Sequence, residues 1–502
     1  MSSGKQTSEC ASNLQKKPRK QPATTMTSTQ KLPLSEQLGG DLAKHLMASA
    51  MDTGSMNIIQ RLHLLEQGAV QAATVHTSTI VVTASLTTQG PLSCAAQSPS
   101  PRQSGSTSSI VSVNSSKSTT LPGDDAYPKR KSNDIHTFTL HDFTAISALS
   151  SLVERYGRVS HMGILDSSYS FFMTKNRQAA LYYKVRNNVA VVGGDPLCDP
   201  ADYENLLEEF RKLRKHRRWG IVFIGATDDF AAYVSKQRWV TMRFGTERVL
   251  NPLTNPVLLE KEQKRMIVQN RQLLDPQRGG ITVLAYAPAQ GRDEILEQKL
   301  RHVYDSWRGN RNDSDQPQAY MTVFDPFAIP ALMTYLYTVD RDGHCNGFAA
   351  LRKIGANNGY HIDPYCATPD APRGLTDLLI FSAMSLLQQA GIGYLSLGFE
   401  PTLELDEVKG LSRPMTAITK TCYRHAFRHL PIGGKKGYHD KFRPDPVLDS
   451  GLHIIYPDGA PSLQDALATL HFANIEVGGL MKREMSVVFS HKETQKHEQR
   501  ES

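Results

Sequence analysis

A small set of carboxylates and cations stands where chemistry could use them. Asp363 falls in an otherwise apolar strand-like run, Gly359 to Cys366, where a solvated face does not account for it. Asp377 falls in the first turn of a helix expected over Leu375 to Ala390; it could belong to a site or simply favour the helix dipole. Glu400 follows the strand Tyr394 to Leu397 and Gly398, at a strand end where ligand-facing residues often sit. Asp195, between Gly194 and Pro196, is either a binding group or a turn residue. His361 is a base by type, although a single His in a strand more often has a structural role. Arg373, beside Gly374, and Lys441 are cations of the kind that steady a phosphate or a developing oxyanion.

One literal motif points elsewhere and fails on position. Gln388-Gln389-Ala390-Gly391-Ile392-Gly393 matches the loop by which acetyl-CoA enzymes cradle a pyrophosphate. Such a loop works at a helix N-terminus, where N–H groups face the phosphates. Here it follows the helix, so Gly391 reads as a C-terminal cap, surrounded by carbonyl oxygens that repel an anion. The true strand-to-helix position is Thr368 to Asp377, which has prolines and Arg373 but no glycine-rich cradle. An acyl donor other than CoA is expected. No metal site is expected, because the six Cys are scattered without a CxxC pair.

The densest positive run is Arg211-Lys212-Leu213-Arg214-Lys215-His216-Arg217-Arg218, on a helix that also carries Leu206, Leu207 and Phe210. A nucleic-acid backbone, an anionic membrane surface and a plain solvated helix face all fit it. Lys261, Lys264, Arg265 and Arg271 form a second, less dense group at helical spacing.

The elements that must position these residues occupy the last three-quarters of the chain. All 38 aromatics (17 Phe, 18 Tyr, 3 Trp) lie at or after Tyr127 of 502 residues. A folded domain of that length without an aromatic ring would be unusual, and 18 of the 40 residues from Val81 to Thr120 are Ser or Thr. Residues 1–134 therefore read as a disordered Ser/Thr-rich arm. Leu42 to Leu65 could form a transient helix in it, and deleting 1–130 is expected to leave any chemistry intact. A polar tail is expected over 490–502. Between them, a helix, a β-meander, a helix and a further strand occur twice. That order predicts an α/β (α+β) fold of two tandem acetyltransferase-like units, 135–315 and 316–489, the second holding the reaction centre. The formal net charge of +8 permits an anionic partner without identifying one. With no apolar run long enough to span a bilayer and no secretory leader, the chain is expected in the cytoplasm, peripheral at a membrane during turnover.

Several stretches together resemble the C-terminal catalytic domain of the phosphatidylglycerol lysyltransferase family, the aminoacyl-tRNA-dependent lipid aminoacyltransferases. They are Tyr360-His361-Ile362-Asp363, Asp370 to Leu379, Leu395 to Pro401 and Lys441-Phe442-Arg443-Pro444, with Val192 to Pro196, Phe244 to Glu247 and Lys264-Arg265-Met266 in the first half. The sequence departs from the bacterial enzymes in lacking their membrane-spanning domain and in its Gly433-Gly434-Lys435-Lys436-Gly437-Tyr438 run. A free-standing form with a Ser/Thr-rich arm looks like the fungal members, which esterify ergosterol with an amino acid, the free-standing form with glycine.

The resemblance implies a charged tRNA, glycyl-tRNA in the fungal case, as co-substrate and no cofactor. It implies a membrane lipid, ergosterol, as acceptor, and a possible aminoacyl-tRNA synthetase partner. Exchanging one ester for another requires the enzyme to hold the α-ammonium, deprotonate a hydroxyl and stabilise an oxyanion. Asp363, Asp377, Glu400, Arg373 and Lys441 are the candidate catalytic residues; Asp195, Gly374 and His361 are candidates for substrate binding. Arg211, Lys212, Arg214, Lys215, Arg217, Arg218, Lys264 and Arg265 are candidates for tRNA. Phe171, Phe172, Met321, Phe324, Phe327, Phe381, Met384 and Leu387 could line an acceptor pocket or belong to the core. Transfer to phosphatidylglycerol, and a non-catalytic RNA-binding protein on the same fold, are the alternative functions.

Overall fold

Short apolar runs separated by tight turns assemble into a single mixed sheet. The computed structural model describes residues 32–48, 58–63, 65–66, 137–138, 143–312, 325–427 and 432–473. In chain order the principal elements begin with α1 (Leu34–Ala48), β1 (Thr137–Phe138), α2 (Phe143–Tyr156), β2 (Ser170–Met173), β3 (Ala180–Arg186), β4 (Val189–Gly193), α3 (Tyr203–Arg217), β5 (Gly220–Thr227), α4 (Asp228–Ser235) and β6 (Val240–Leu250). There follow α5 (Lys264–Leu274), β7 (Thr282–Tyr286), α6 (Glu294–Asn312), β8 (Met333–Val339), β9 (Cys345–Ile354), β10 (Gly359–Ala367), α7 (Leu375–Gln389) and β11 (Leu395–Pro401). The last are β12 (Val408–Lys409), α8 (Arg413–Phe427), α9 (Ile432–His439), β13 (Ser450–Tyr456) and α10 (Leu463–Phe472).

The sheet order is β1-β2-β3-β4-β5-β13-β6-β11-β10-β9-β8-β7, with β12 paired to β6. Each half contains an antiparallel meander, β2-β3-β4 or β8-β9-β10, then a helix, then a strand that pairs in parallel with the last meander strand. This mixed α/β arrangement is the repeated order expected from the sequence. Asn187 and Asn188, at φ 49° and 58°, make the β3–β4 hairpin turn in the left-handed region that asparagine tolerates. β13, from late in the chain, is inserted between β5 and β6 and joins the two halves.

Helices cover both faces. α7 is apolar on nearly every side and is buried from Leu378 to Leu387, as a helix enclosed in a core must be. Its Ser382 and Ser385 hydroxyls donate back to the carbonyls of Leu378 and Phe381, at 2.7 and 2.8 Å. α7 ends where Gly391 turns to φ 64°, and the N–H of Ile392 donates to the carbonyl of Leu387. The literal CoA-loop match is thus a helix C-cap.

The arm differs from its sequence reading over one stretch. α1 lies on α7, with Leu34, Leu38, Leu42 and Leu46 buried, and Ile58, Ile59 and Leu62 of the helical segment 58–63 join the same core. A Cβ on Gly39 would fall 2.5 Å from the Ser385 carbonyl oxygen, so only glycine allows the two helices to meet there. The Leu34 N–H donates to Glu260 at 2.8 Å and the Ser35 hydroxyl to the Leu258 carbonyl at 2.9 Å. Low aromatic content hid this because aliphatic residues alone build the contact. This stretch belongs to the core, so deleting residues 1–130 would remove packed aliphatic side chains. Val81 to Thr120 and 490–502 lie outside the described residues.

Candidate functional site

The parallel ladder between β10 and β11 stops after two rungs, Tyr360 with Leu395 and His361 with Ser396. Both strands then bulge. β10 shifts register against β9 between Ile362 and Tyr365, around Asp363 and Pro364, and proline has no N–H to extend a ladder. β11 shifts against β6 between Ser396 and Phe399, around Gly398 at φ 91°. In the first half the matching ladder runs for five rungs, from Val189 with Gly220 to Gly193 with Ile224. Asp195 then staples the strands together, accepting from the Thr227 N–H at 2.8 Å and hydroxyl at 2.7 Å, with Arg158 Nε at 3.1 Å. Burial raises the Asp195 pKa, against the pull of Arg158 and Thr227. Both of its oxygens are engaged, so Asp195 holds the closed junction together.

At the β10–β11 junction His361 is buried, and its Nδ1 lies 3.2 Å from the Ser396 carbonyl. A carbonyl only accepts, so Nδ1 carries the proton and Nε2 the lone pair. Nε2 is buried and has no hydrogen-bond partner among the described residues. Burial, with Arg352 and Lys435 nearby, lowers the imidazole pKa to about 3, which keeps the ring neutral. A Cβ on Gly398 would lie 3.2 Å from His361 Cε1 and 3.7 Å from Lys435 Nζ, so glycine leaves these two side chains room to meet. Asp363 stands two residues from His361, on the same face of β10. Burial raises its pKa, opposed by Lys435 and Arg352.

Arg352 of β9 is opposite His361 in register and fully buried. Burial lowers its pKa to about 10, against the raising influence of Tyr182, Asp363 and Glu247. Its Nη2 donates to the carbonyls of Arg158 and Val159, at 3.2 and 3.3 Å. Arg352 therefore ties the site to the first half of the chain. Glu247 is also buried, and Tyr394 donates to it at 2.9 Å.

Glu400 lies further along β11, 3.0 Å from Lys436 and 3.7 Å from Arg248. A second group gathers at the start of α7. Asp377 lies 3.4 Å from Lys441, which also stands 4.6 Å over the Tyr438 ring. Tyr438 stacks on Tyr365 at 6.0 Å and donates to the Thr376 hydroxyl at 3.2 Å. Gly374, at φ 91°, is the N-cap of α7, and Arg373 is exposed beside it, its carbonyl accepting from Gln269 of α5 at 2.7 Å. α9 links the two groups: Lys435 and Lys436 reach the junction, while Tyr438 and the following Lys441 reach α7.

The basic groups separate in space. Lys264 and Arg265 are exposed at the start of α5, and Gln269 of the same helix meets the Arg373 carbonyl just before α7. The run from Arg211 to Arg218 lies on α3, over β2–β5. There Arg214 is buried and clasps Asp458 through two bonds, at 2.8 and 2.7 Å. Arg211 pairs with Glu208 at 2.5 Å. A groove of about 730 Å³ beside α3 alternates Glu204 and Glu208 with Arg211 and Arg214, a poor match for a polyanion.

Phe171, Phe172, Phe327, Phe381, Met384 and Leu387 are core residues; Met321 and Phe324 lie outside the described residues. Sequence reasoning passed over Arg352 and Lys435. Arg352 follows the apolar run Phe348 to Leu351 and is followed by Lys353, so in sequence the pair reads as ordinary cations near a strand end. No described helix is long and apolar enough to cross a membrane.

A family model, the C-terminal domain of phosphatidylglycerol lysyltransferase, matches residues 150–448. The lysylphosphatidylglycerol biosynthesis bifunctional protein LysX of Rhodococcus jostii is 25% identical over 262 residues, which is 50% of this chain and 22% of that protein. The chain thus aligns with less than a quarter of the length of this curated relative. Among solved structures, L-PGS from Bacillus licheniformis superposes with a TM-score of 0.51 at 17% identity, over 66% of this chain and 96% of that one. The C-terminal domain of a protein named as a lysylphosphatidylglycerol synthetase, from Agrobacterium fabrum, gives 0.51 at 18%, over 65% and 95%. At these identities the structural likeness establishes the fold.

Proposed function

The chain belongs to the phosphatidylglycerol lysyltransferase C-terminal family, and from that premise we propose that it is an enzyme moving an aminoacyl group from charged tRNA to a lipid hydroxyl. The observation that carries this reading is the buried, unpartnered lone pair of His361 Nε2 at the β10–β11 junction, beside Asp363 and Lys435. A base, a carboxylate and a cation held together in a dry site are what ester exchange requires.

In this reading Asp363 receives the α-ammonium of the amino acid. The lipid hydroxyl oxygen attacks the acyl carbon and forms the new C–O bond. Its proton passes to His361 Nε2, and Lys435 stabilises the oxyanion. The C–O bond to the terminal ribose then breaks, and His361 returns the proton to the departing ribose oxygen. One ester replaces another, so the exchange needs neither ATP nor a cofactor. Arg373, Lys441, Lys264 and Arg265 form the rim that receives the tRNA end. Asp377 holds Lys441, and Glu400 holds Lys436; both are positioning residues.

Ergosterol is the proposed acceptor and glycine the proposed amino acid, on the likeness to the free-standing fungal members, with an aminoacyl-tRNA synthetase as the proposed supplier of the charged tRNA. The names of the relatives favour a second reading, with phosphatidylglycerol as acceptor. Incubation with tRNA charged with labelled amino acids and a lipid extract containing both acceptors separates the two. Label in a sterol ester supports the first reading, label in a glycerophospholipid selects the second, and intact aminoacyl-tRNA with no labelled lipid overturns both.

A further inference from the structure

Arg352 carries a charge into the core and meets no counterion there. The residue is 2% exposed. Its Nη2 is occupied by the carbonyls of Arg158 and Val159. Its Nη1 is buried and has no hydrogen-bond partner among the described residues. Asp363 and Glu247 act on the guanidinium only through space. Tyr182, also near, spends its hydroxyl on the Ser160 carbonyl. Leaving a buried charged donor unsatisfied costs free energy that an arriving acceptor would recover.

The atom beside it has the opposite need. Arg352 and His361 are directly opposite in the β9–β10 register, so their side chains project from the same face with Cβ atoms about 5 Å apart. His361 Nε2 holds a lone pair without a donor, Arg352 Nη1 holds N–H groups without an acceptor, and the two are not bonded to each other. On β8 the residue opposite Arg352 is Met333, which is apolar and buried. An orphan acceptor and an orphan donor therefore stand side by side at the edge of the β10–β11 gap. A hydroxyl attacking an ester needs both, the first for its proton and the second for the carbonyl oxygen.

The guanidinium is fixed before any substrate arrives. The carbonyls that hold Nη2 follow α2, and α2 is tied to the β9–β10 turn. Lys353 reaches Glu154 at 2.7 Å, and the Ala356 N–H reaches the Gly157 carbonyl at 3.2 Å. Lys435, the other cation at the junction, stands on an exposed part of α9. A donor that needs no rearrangement is the more effective one for charge that develops during reaction.

We infer that Arg352 is a catalytic residue whose Nη1 N–H holds the acyl oxygen of the donor ester, with Lys435 as an auxiliary cation. This assignment rests on the transferase reading. As the lipid hydroxyl oxygen bonds to the acyl carbon, the π electron pair of the carbonyl moves to the acyl oxygen, and that oxyanion accepts from Nη1. The pair returns as the C–O bond to the ribose breaks, and the ribose oxygen leaves with the proton carried by His361.

Two adenosine derivatives separate this role from packing. A 3′-aminomethylphosphonate ester presents a tetrahedral anion like the intermediate, and a 3′-glycylamide presents a neutral planar carbonyl. Arg352→Gln, with an unchanged circular dichroism spectrum, should bind the phosphonate about tenfold or more weakly than the unmodified chain, and the amide within about threefold. In transfer its kcat should fall about 10²-fold or more, with KM for charged tRNA within about threefold. Arg352→Lys keeps a cation and loses the second nitrogen; it should show the same selective loss, and it decides the matter if the glutamine variant does not fold. Equal weakening of both ligands, retained phosphonate affinity or retained kcat in a folded variant overturns the assignment. So does an unmodified chain that does not prefer the phosphonate to the amide. Selective phosphonate binding with no transfer to any lipid would refute the transferase reading and leave Arg352 as an anion donor.

Discussion

His361 Nδ1 donates to the Ser396 carbonyl at 3.2 Å, and this contact coincides with the last rung of the parallel ladder between β10 and β11. Beyond it both strands bulge, so the hydrogen bond that orients the imidazole sits at the edge of the gap in the ladder. It leaves Nε2 with a lone pair and no partner among the described residues.

The first prediction concerns tRNA. If the α5–α7 rim receives the acceptor end, Lys264→Ala, Arg265→Ala and Arg373→Ala combined should weaken binding about tenfold or more and flatten its salt dependence by about two. Lys212→Ala with Lys215→Ala should have a smaller effect, because the α3 surface is interspersed with Glu204 and Glu208. Filter binding across a salt series measures both; a larger loss from the α3 pair contradicts the assignment.

Arg214 separates structure from binding on α3 itself. Its pairing with Asp458 is bidentate, but Asp458 is more than half exposed, so solvent screens the pair. Arg214→Ala should therefore lower stability by only about 1 kcal/mol in chemical denaturation and leave tRNA affinity unchanged. A selective loss of tRNA affinity without destabilisation would return Arg214 to the binding surface.

The N-terminal stretch gives a sharper test. Truncation through residue 66 removes Leu34, Leu38, Leu42, Leu46, Ile58, Ile59 and Leu62 from the core. At about 1.5–3 kcal/mol for each buried aliphatic side chain the loss rivals the whole stability of a domain, so that chain should aggregate. Gly39→Val should destabilise by about 1–3 kcal/mol through its clash with the Ser385 carbonyl. A soluble, cooperatively melting truncation through residue 66 would contradict the packing of α1 on α7.

How much of this was legible in sequence depended on what each residue signals locally. The helix expected from Leu375 is α7, and the strands at Cys345–Ile354 and Val189–Gly193 fall where alternation and turn residues put them. The pairing of Asp363 and His361 on one strand face follows from their spacing alone. The partners of the site do not, because Arg352 and Lys435 reach it through tertiary contacts across β9 and α9. Nor could local pattern tell that β13, seven residues near the chain's end, inserts between β5 and β6. The bonds of Asp195 to Thr227 and Arg158 span distant parts of the chain, so its place between Gly194 and Pro196 gave no sign of them.

Acid should weaken the fold partly through His161. Its Nδ1 accepts the Arg158 N–H at 2.9 Å, its Nε2 lies 2.9 Å from the Asp195 carbonyl, and burial lowers its pKa to about 3. An unfolded histidine titrates near 6.5, so above that pH the group adds no pH dependence. Between pH 6.5 and 3 the unfolded chain takes up a proton that the folded chain refuses. The native state therefore loses about 1.4 kcal/mol per pH unit through this group. The stability advantage over His161→Gln should shrink as pH falls through that window; parallel stability curves would contradict a neutral buried His161.

The most direct test of the transferase account is the initial rate of label transfer from labelled glycyl-tRNA to lipid, for the unmodified chain beside His361→Gln and Asp363→Asn. Both variants should keep their melting temperature within a few degrees and lose about 10²–10⁴-fold in rate, and ribonuclease should abolish transfer by the unmodified chain. Transfer at the unmodified rate by either folded variant would contradict the placement of the chemistry at the β10–β11 junction, and ribonuclease-resistant transfer would contradict tRNA as the donor.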